Sequence, residues 1–244
     1  MHADCVIVGA RADVGAAAPD FRFFALPREQ VKVEDTWHVD GMAGTGSNDM
    51  VIEDVVVPEE RSVSIGAMSA GCAPGAALHE GPLYRTPMLP ILCLAAAMPA
   101  VGQARACVRA FRERMQERIL YGAGVRQAEK PAAQIRLARA EIESRQAEGL
   151  LRDVVAEVQA LRDEATIADR ARWSASAALA VDQSKRVLQN LAEASGASAH
   201  FLNHPLQRAV RDLNMIACHV VFDLDSRLEI HGRALLGLEP GGLV

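Results

Sequence analysis

The sequence contains no CxxC pair, no P-loop glycine signature, no GxSxG elbow and no HExxH helix. Those absences remove the common routes to zinc binding, nucleotide hydrolysis, serine hydrolysis and metalloproteolysis. Cysteine is sparse and odd in number, at positions 5, 72, 93, 107 and 218. A disulfide framework is therefore not expected, and a reducing, cytoplasmic setting fits best. Most of the five have apolar neighbours, as small core residues do. The start lacks a positive region followed by a long apolar run, so no secretory signal is read there. The most apolar stretch, from Met88 to Val101, is interrupted by Pro90 and Pro99 and is too short to span a bilayer. Basic excess is lacking too: 26 Lys and Arg stand against 31 Asp and Glu, a net charge of −5 that argues against bulk nucleic-acid binding.

What is present is ordinary globular composition over 244 residues, half hydrophobic and 23% charged. That length buries a substantial core. The charge is polarised. Residues 1–60 hold 4 basic and 12 acidic residues, whereas residues 105–145 hold 10 basic and 5 acidic ones. Such patches either remain solvated or attract one another, within a chain or across copies.

The first quarter reads as β structure. Cys5–Val8, Phe21–Leu26, the alternating Val31, Val33, Trp37 and Val39, and Met50–Val57 are β-branched or aromatic runs bounded by Gly and Pro. Gly41–Asn48 carries three glycines and reads as a turn. The Gly-, Ala-, Ser- and Pro-rich stretch that follows reads as a connector. Beyond Pro87, helical spacing predicts four helices over 88–120, 131–163, 167–195 and 205–232. In the last, Leu206, Val210, Leu213, Ala217, Val220, Leu224 and Leu228 form one stripe, with Pro205 at its start. Arg208 and Asp212 are four apart and so placed to pair on its surface, a contact worth a few tenths of a kcal/mol. Ser195-Gly196 is a helix stop. The fold class is α+β: a β domain over 1–65, a connector over 66–87 and a helical bundle over 88–244.

Two runs carry a resemblance. Asp35–Ser62, DTWHVDGMAGTGSNDMVIEDVVVPEERS, is similar to the second half of the β domain in the acyl-CoA dehydrogenase superfamily. His204–His219, HPLQRAVRDLNMIACH, resembles the last helix of one branch, the flavin-dependent monooxygenases related to 4-hydroxyphenylacetate and 3-hydroxy-steroid-ring hydroxylases. The resemblance implies a partial antiparallel β domain followed by an acyl-CoA-dehydrogenase-like C-terminal four-helix bundle. It also implies the oxygenase component of a two-component enzyme, a homotetramer in most of the family. Such an enzyme takes reduced FMN or FAD from a separate flavin reductase, adds oxygen at the flavin C4a carbon, and uses the hydroperoxide to hydroxylate a small aromatic substrate. That chemistry needs a dry pocket and a positioned proton donor or acceptor.

Residue by residue, the resemblance places His219 where the dehydrogenases carry their catalytic Glu, which suits proton handling instead. Arg118-Ile119-Leu120-Tyr121-Gly122 is similar to an R-x-x-aromatic-G element whose Arg meets the flavin phosphates of a neighbouring subunit, and a guanidinium fork matches phosphate oxygens. Ser195, Gly196 and Ser198 stand at a small-residue turn that approaches the flavin tail. Arg85 resembles a residue lining the substrate pocket. Ala43 replaces an Arg common in the family's GMRGTGS turn, and the start at Met1–Asp4 looks like the middle of a relative, so the chain reads as N-terminally truncated. Two other readings stay open here: an FAD-dependent acyl-CoA dehydrogenase, and a non-catalytic helical scaffold.

Overall fold

The computed structural model describes residues 3–13, 19–122 and 124–242; Met1 and His2, part of the start discussed above, lie outside them. The chain divides into two compact units. One comprises the residues up to Val39, Ala43–Ile91 and Leu161–Ala165; the other comprises Asp40–Met42, Leu92–Ala160 and the residues from Thr166 onward.

In the first unit, β1 (Cys5–Ala12) pairs antiparallel with β2 (Asp20–Pro27) along its whole length, running past Gly9, where the apolar run ends. The register places Val6 opposite Leu26 and Val8 opposite Phe24. The period of two puts these four on one face, while Ile7 between them faces solvent. Val6, Leu26 and Val31 form a small core, on which Val8, Phe24, Ile52, Val55 and Val57 pack. Two further strands, β3 (Lys32–Glu34) and β4 (Asp49–Val51), make a separate antiparallel ladder. They are shorter than the apolar runs predict. Past β4 the chain passes through Asp54 at φ 51°, a left-handed conformation that ends any extension there. Val55 and Val57 therefore contribute to the core without being a strand.

The connector is more structured than its composition suggests. Just before it, at the end of the β domain, β5 (Ser62–Ser64) pairs with β2 and completes a three-stranded sheet in the order β1-β2-β5. Two short helices follow, α1 (Ile65–Ser69) and α2 (Pro74–Leu78). Three residues are too few for alternation to be readable in sequence.

The second unit is helical. The long helices are α3 (Met88–Glu117, beginning in the first unit), α4 (Pro131–Leu161) and α5 (Ile167–Ser195). By length and composition α3 alone, among the described residues, would suffice to cross a membrane, so the apolar run is longer than the proline positions suggest. Here its Cys93, Leu94, Ala97, Ala100, Val101 and Ala104 are buried as a helix of the bundle. Thr166 and Asp169 form a capping box that starts α5. Buried positions lie nearly all round α5, from Ala171, Trp173 and Ser174 to Val181, Leu188 and Leu191, the mark of a central helix.

The fourth helix differs from expectation. It is two helices, α6 (Pro205–Ala217) and α7 (Leu224–Leu235), separated by a tight turn at Val220–Phe222. His219 leaves the helical region at φ −67°, ψ 139°, and its Nδ1 accepts the Val221 amide at 3.3 Å. Asp223 caps α7 by accepting the Ser226 amide at 2.9 Å. Each capping side chain offers the backbone an alternative to continuing the helix. The stripe breaks accordingly: Leu206 and Leu213 are buried, but Val220 is 72% exposed and Leu228 43%. The cysteines divide as well, with Cys93 and Cys107 buried and Cys5, Cys72 and Cys218 exposed.

Candidate functional site

Arg114 lies in the last turn of α3 and Arg118 just past its end, four residues on, where its amide donates to the Arg114 carbonyl at 2.9 Å. Their targets lie where α5 ends. Gly196 takes φ 62° and ψ −162°, a conformation open to glycine because it has no Cβ, and the chain turns there into a short 3-10 segment over Gly196–His200. This turn exposes the Ser195 carbonyl, which accepts from Arg118 Nη1 at 2.9 Å and from the Ser198 hydroxyl at 3.0 Å. Ser195 itself is buried, its hydroxyl donating to the Leu191 carbonyl at 2.8 Å. Arg114 Nη2 donates to Ser198 Oγ at 2.9 Å, and Arg114 Nη1 meets Nε2 of His204. Buried Gln127 completes the arrangement, donating to the Ala194 carbonyl at 3.0 Å and facing Arg118 Nη1 at 3.4 Å.

The cluster is electrostatically one-sided. Among the described residues, neither Arg114 nor Arg118 has a carboxylate within ion-pair distance. The arginines farther along the bundle contrast with them: Arg105 pairs with Glu141 and Glu148, and Arg136 with Glu193. Partial burial, and then the Arg118 charge, holds the Arg114 guanidinium below its usual range. Burial, reinforced by both arginines, lowers the His204 imidazole, so that ring is neutral at neutral pH. Uncompensated, partly buried guanidinium groups beside serine hydroxyls are what an oxyanion, and a phosphate in particular, requires.

Arg118, Ser195, Gly196 and Ser198 thus converge. Tyr121 does not join their hydrogen bonds and is fully exposed. His219 lies on the surface beyond α6, its ring centroid 6.3 Å from that of Phe222. Arg85 belongs to the first unit, ends a 3-10 turn over Pro82–Arg85 and is exposed, facing the Glu80 carbonyl at 3.5 Å. Sequence reasoning passed over Arg114, Gln127 and His204. The signal for Arg114 was its spacing of four from Arg118; for His204 it was the residue before a proline that opens a helix.

A second feature concerns the glycine turn. Gly41 lies against the α6 backbone so closely that a Cβ would sit 2.3 Å from the Arg211 carbonyl oxygen. The Met42 amide donates to Asp212 Oδ1 at 2.7 Å, and Arg211 donates to the Asp40 carbonyl. Asp212 therefore serves this segment, where a pairing with Arg208 was expected. A groove of about 680 Å³ in the helical unit is lined by Met98, Val101, Arg105, Leu151 and Val155 among others. None of the cluster residues lines it, and two of its three arginines, Arg105 and Arg152, have carboxylate partners.

Comparison with known proteins places the chain in a family. The family model described as acyl-CoA dehydrogenase, C-terminal domain, matches residues 94–224. The chain is 36% identical over 223 residues to a pigment production hydroxylase from a Rhodococcus species, covering 91% of this chain and 58% of that one. It is 35% identical to the oxygenase component of an FADH(2)-dependent resorcinol hydroxylase from a Rhizobium species, covering 90% of this chain and 57% of that one. Among solved structures, the 3-HSA hydroxylase of Rhodococcus sp. RHA1 superposes with a TM-score of 0.90 at 32% identity, over 97% of this chain and 62% of that one. The chain therefore spans well under two thirds of the length of these relatives.

Proposed function

The chain belongs to the acyl-CoA dehydrogenase C-terminal-domain family, and on that premise we propose that it supplies the helical-bundle portion of the oxygenase component of a two-component flavin-dependent monooxygenase. The observation that carries this reading is the pair Arg114 and Arg118, free of carboxylate partners and aimed at the Ser195–Ser198 turn. In this proposal the pair and the turn hold the phosphate end of reduced FMN or FAD. Binding phosphate there replaces unpaired positive charge by charge-assisted hydrogen bonds.

A bound reduced flavin supplies the electrons with which oxygen is activated. The chain's own contribution is to anchor it and to handle protons. His219 suits the second task. Its Nδ1 is occupied by the Val221 amide, which fixes the ring hydrogen of the neutral form on Nε2, directed away from the backbone. Arg85 is assigned to the substrate side, where a guanidinium would hold the phenolate of a small aromatic molecule.

The proposal extends to the partners. A separate flavin reductase delivers the reduced cofactor, as the two-component naming of the relatives supports. Homotetramer formation is supported by exposed apolar side chains in the segments flanking the cluster: Ile119, Tyr121, Phe201 and Leu202. Five free thiols support a cytoplasmic setting. Gel filtration of the purified chain with excess FMN or FAD tests the central point. Co-elution of flavin with protein is expected. A colourless protein peak with both cofactors overturns the reading and favours a non-catalytic scaffold.

A further inference from the structure

His204 is held between two hydrogen-bond donors. Its Nδ1 accepts the Leu206 amide at 3.2 Å, which caps the first turn of α6. Its Nε2 meets Nη1 of Arg114. A neutral imidazole has one bare nitrogen and one N–H, and a guanidinium has only N–H groups to offer. The tautomer that keeps the Leu206 cap carries the ring hydrogen on Nε2, facing the Arg114 N–H, whereas the other tautomer accepts from Arg114 and loses the cap. In the first, two donors are turned toward each other with no acceptor between them.

The surroundings do not relieve this. Just beyond the end of α3, Arg118 adds a second positive charge four residues from Arg114. From the turn after α5, the Ser198 hydroxyl takes the other arm of Arg114 and passes its own hydrogen to the Ser195 carbonyl. Among the described residues no carboxylate pairs with either arginine. Doubly protonating His204 would place a hydrogen on Nδ1 against the Leu206 amide and a third positive charge beside the two guanidinium groups. The ring therefore stays neutral, in agreement with the depression of its pKa by burial and by the arginines. An anionic oxygen reaching both Arg114 Nη1 and His204 Nε2 gives each N–H the acceptor it lacks, and the flexible arginine stem gives way to admit it.

We propose that Arg114 and His204 form a phosphate-oxygen subsite, in which His204 acts as a neutral Nε2–H donor while its Nδ1 continues to cap α6. The identity of the physiological phosphate, that of a flavin nucleotide, rests on the function proposed above; the subsite itself rests on the geometry. His204 then has two separable roles, and one substitution divides them. Asn at this position keeps a side-chain acceptor for the Leu206 amide, because Asn is among the best N-caps. It is too short to place a donor where Nε2 stands.

The experiment compares the chain with His204→Asn and Arg114→Gln by isothermal titration with inorganic pyrophosphate, FMN and FAD. Urea denaturation of each variant is measured in parallel, and nitrogen NMR of the His204 ring in the wild type reports its tautomer. The expected result is that His204→Asn unfolds at the wild-type urea midpoint yet binds pyrophosphate and flavin nucleotide at least tenfold more weakly. Arg114→Gln is expected to do the same, and the ring to show a hydrogen on Nε2 and none on Nδ1 with and without anion. Pyrophosphate bound tightly, weakened by both variants, with no flavin bound supports the subsite and overturns the flavin reading. Flavin bound equally by all three proteins keeps the flavin reading and overturns the subsite. Failure of the wild type to bind pyrophosphate or flavin, or a doubly protonated ring, also overturns it.

Discussion

Asp212 of α6 accepts the backbone amide of Met42 at 2.7 Å, across 170 positions of sequence. The bond joins the two runs that carry the family resemblance, the glycine turn and the last-helix motif, at one point. Replacing Asp212 by Ala removes the acceptor of this bond in a half-buried place. A loss of about 1–3 kcal/mol is expected, read as a lower urea midpoint with an unchanged slope. Arg208→Ala, which breaks no such bond, is expected to leave the midpoint nearly unchanged.

Gly41→Ala places a methyl group 2.3 Å from the Arg211 carbonyl oxygen, backbone against backbone. Neither side yields without moving the turn or α6. The variant is expected to be destabilised more than Gly44→Ala, where a Cβ meets nothing within 4 Å. Thermal unfolding of the two side by side tests this.

Leu213 is 1% exposed on the inner face of α6. Truncation to Ala combines lost transfer energy with a cavity, for an expected cost of about 2–5 kcal/mol. Val220→Ala, at a position that helical periodicity assigns to the same stripe but that is exposed, is expected to cost less than about 0.5 kcal/mol. Equal effects would mean that α6 and α7 form one continuous helix.

The capping box at the start of α5 gives stability a pH dependence. The Thr166 hydroxyl, and then its amide, hold the Asp169 carboxyl below its usual range. A lowered folded-state pKa contributes stability that is fully present above the unfolded value of about 4 and is lost as pH falls through the folded value. The stability difference between wild type and Asp169→Asn is therefore expected to be constant from pH 7 to 5 and to shrink below pH 4. Urea titrations across that range measure it, and a difference that grows on acidification would contradict the cap.

The five thiols are expected to separate kinetically. Cys5, Cys72 and Cys218 are exposed, whereas burial pushes the Cys93 and Cys107 thiols up and shields them. Three thiols are expected to react promptly with a disulfide reagent in the native state and the remaining two on unfolding.

The long helices were legible because their apolar spacing persists over many turns and Pro131, Thr166 and Gly196 mark their ends. The break after Cys218 was not, because Val220, Leu224 and Leu228 keep helical spacing while His219 and Asp223 supply competing caps. At the site, Ser195-Gly196 was readable as a helix stop, and Arg118 only through the family resemblance. His204 was not, because its position depends on α3 and α6 meeting, which no local pattern encodes. Arg208 and Asp212 show the converse: their spacing permits a local pair, and a distant amide competes successfully for the carboxylate.

The most direct test is an anaerobic titration of the chain with reduced FMN and reduced FAD, beside the double variant Arg114→Gln with Arg118→Gln. Saturable binding of at least one flavin by the wild type, weakened at least a hundredfold in the variant, is the predicted result. Binding of equal strength in both proteins, or none in the wild type, contradicts the assignment of the arginine pair to the cofactor's phosphate.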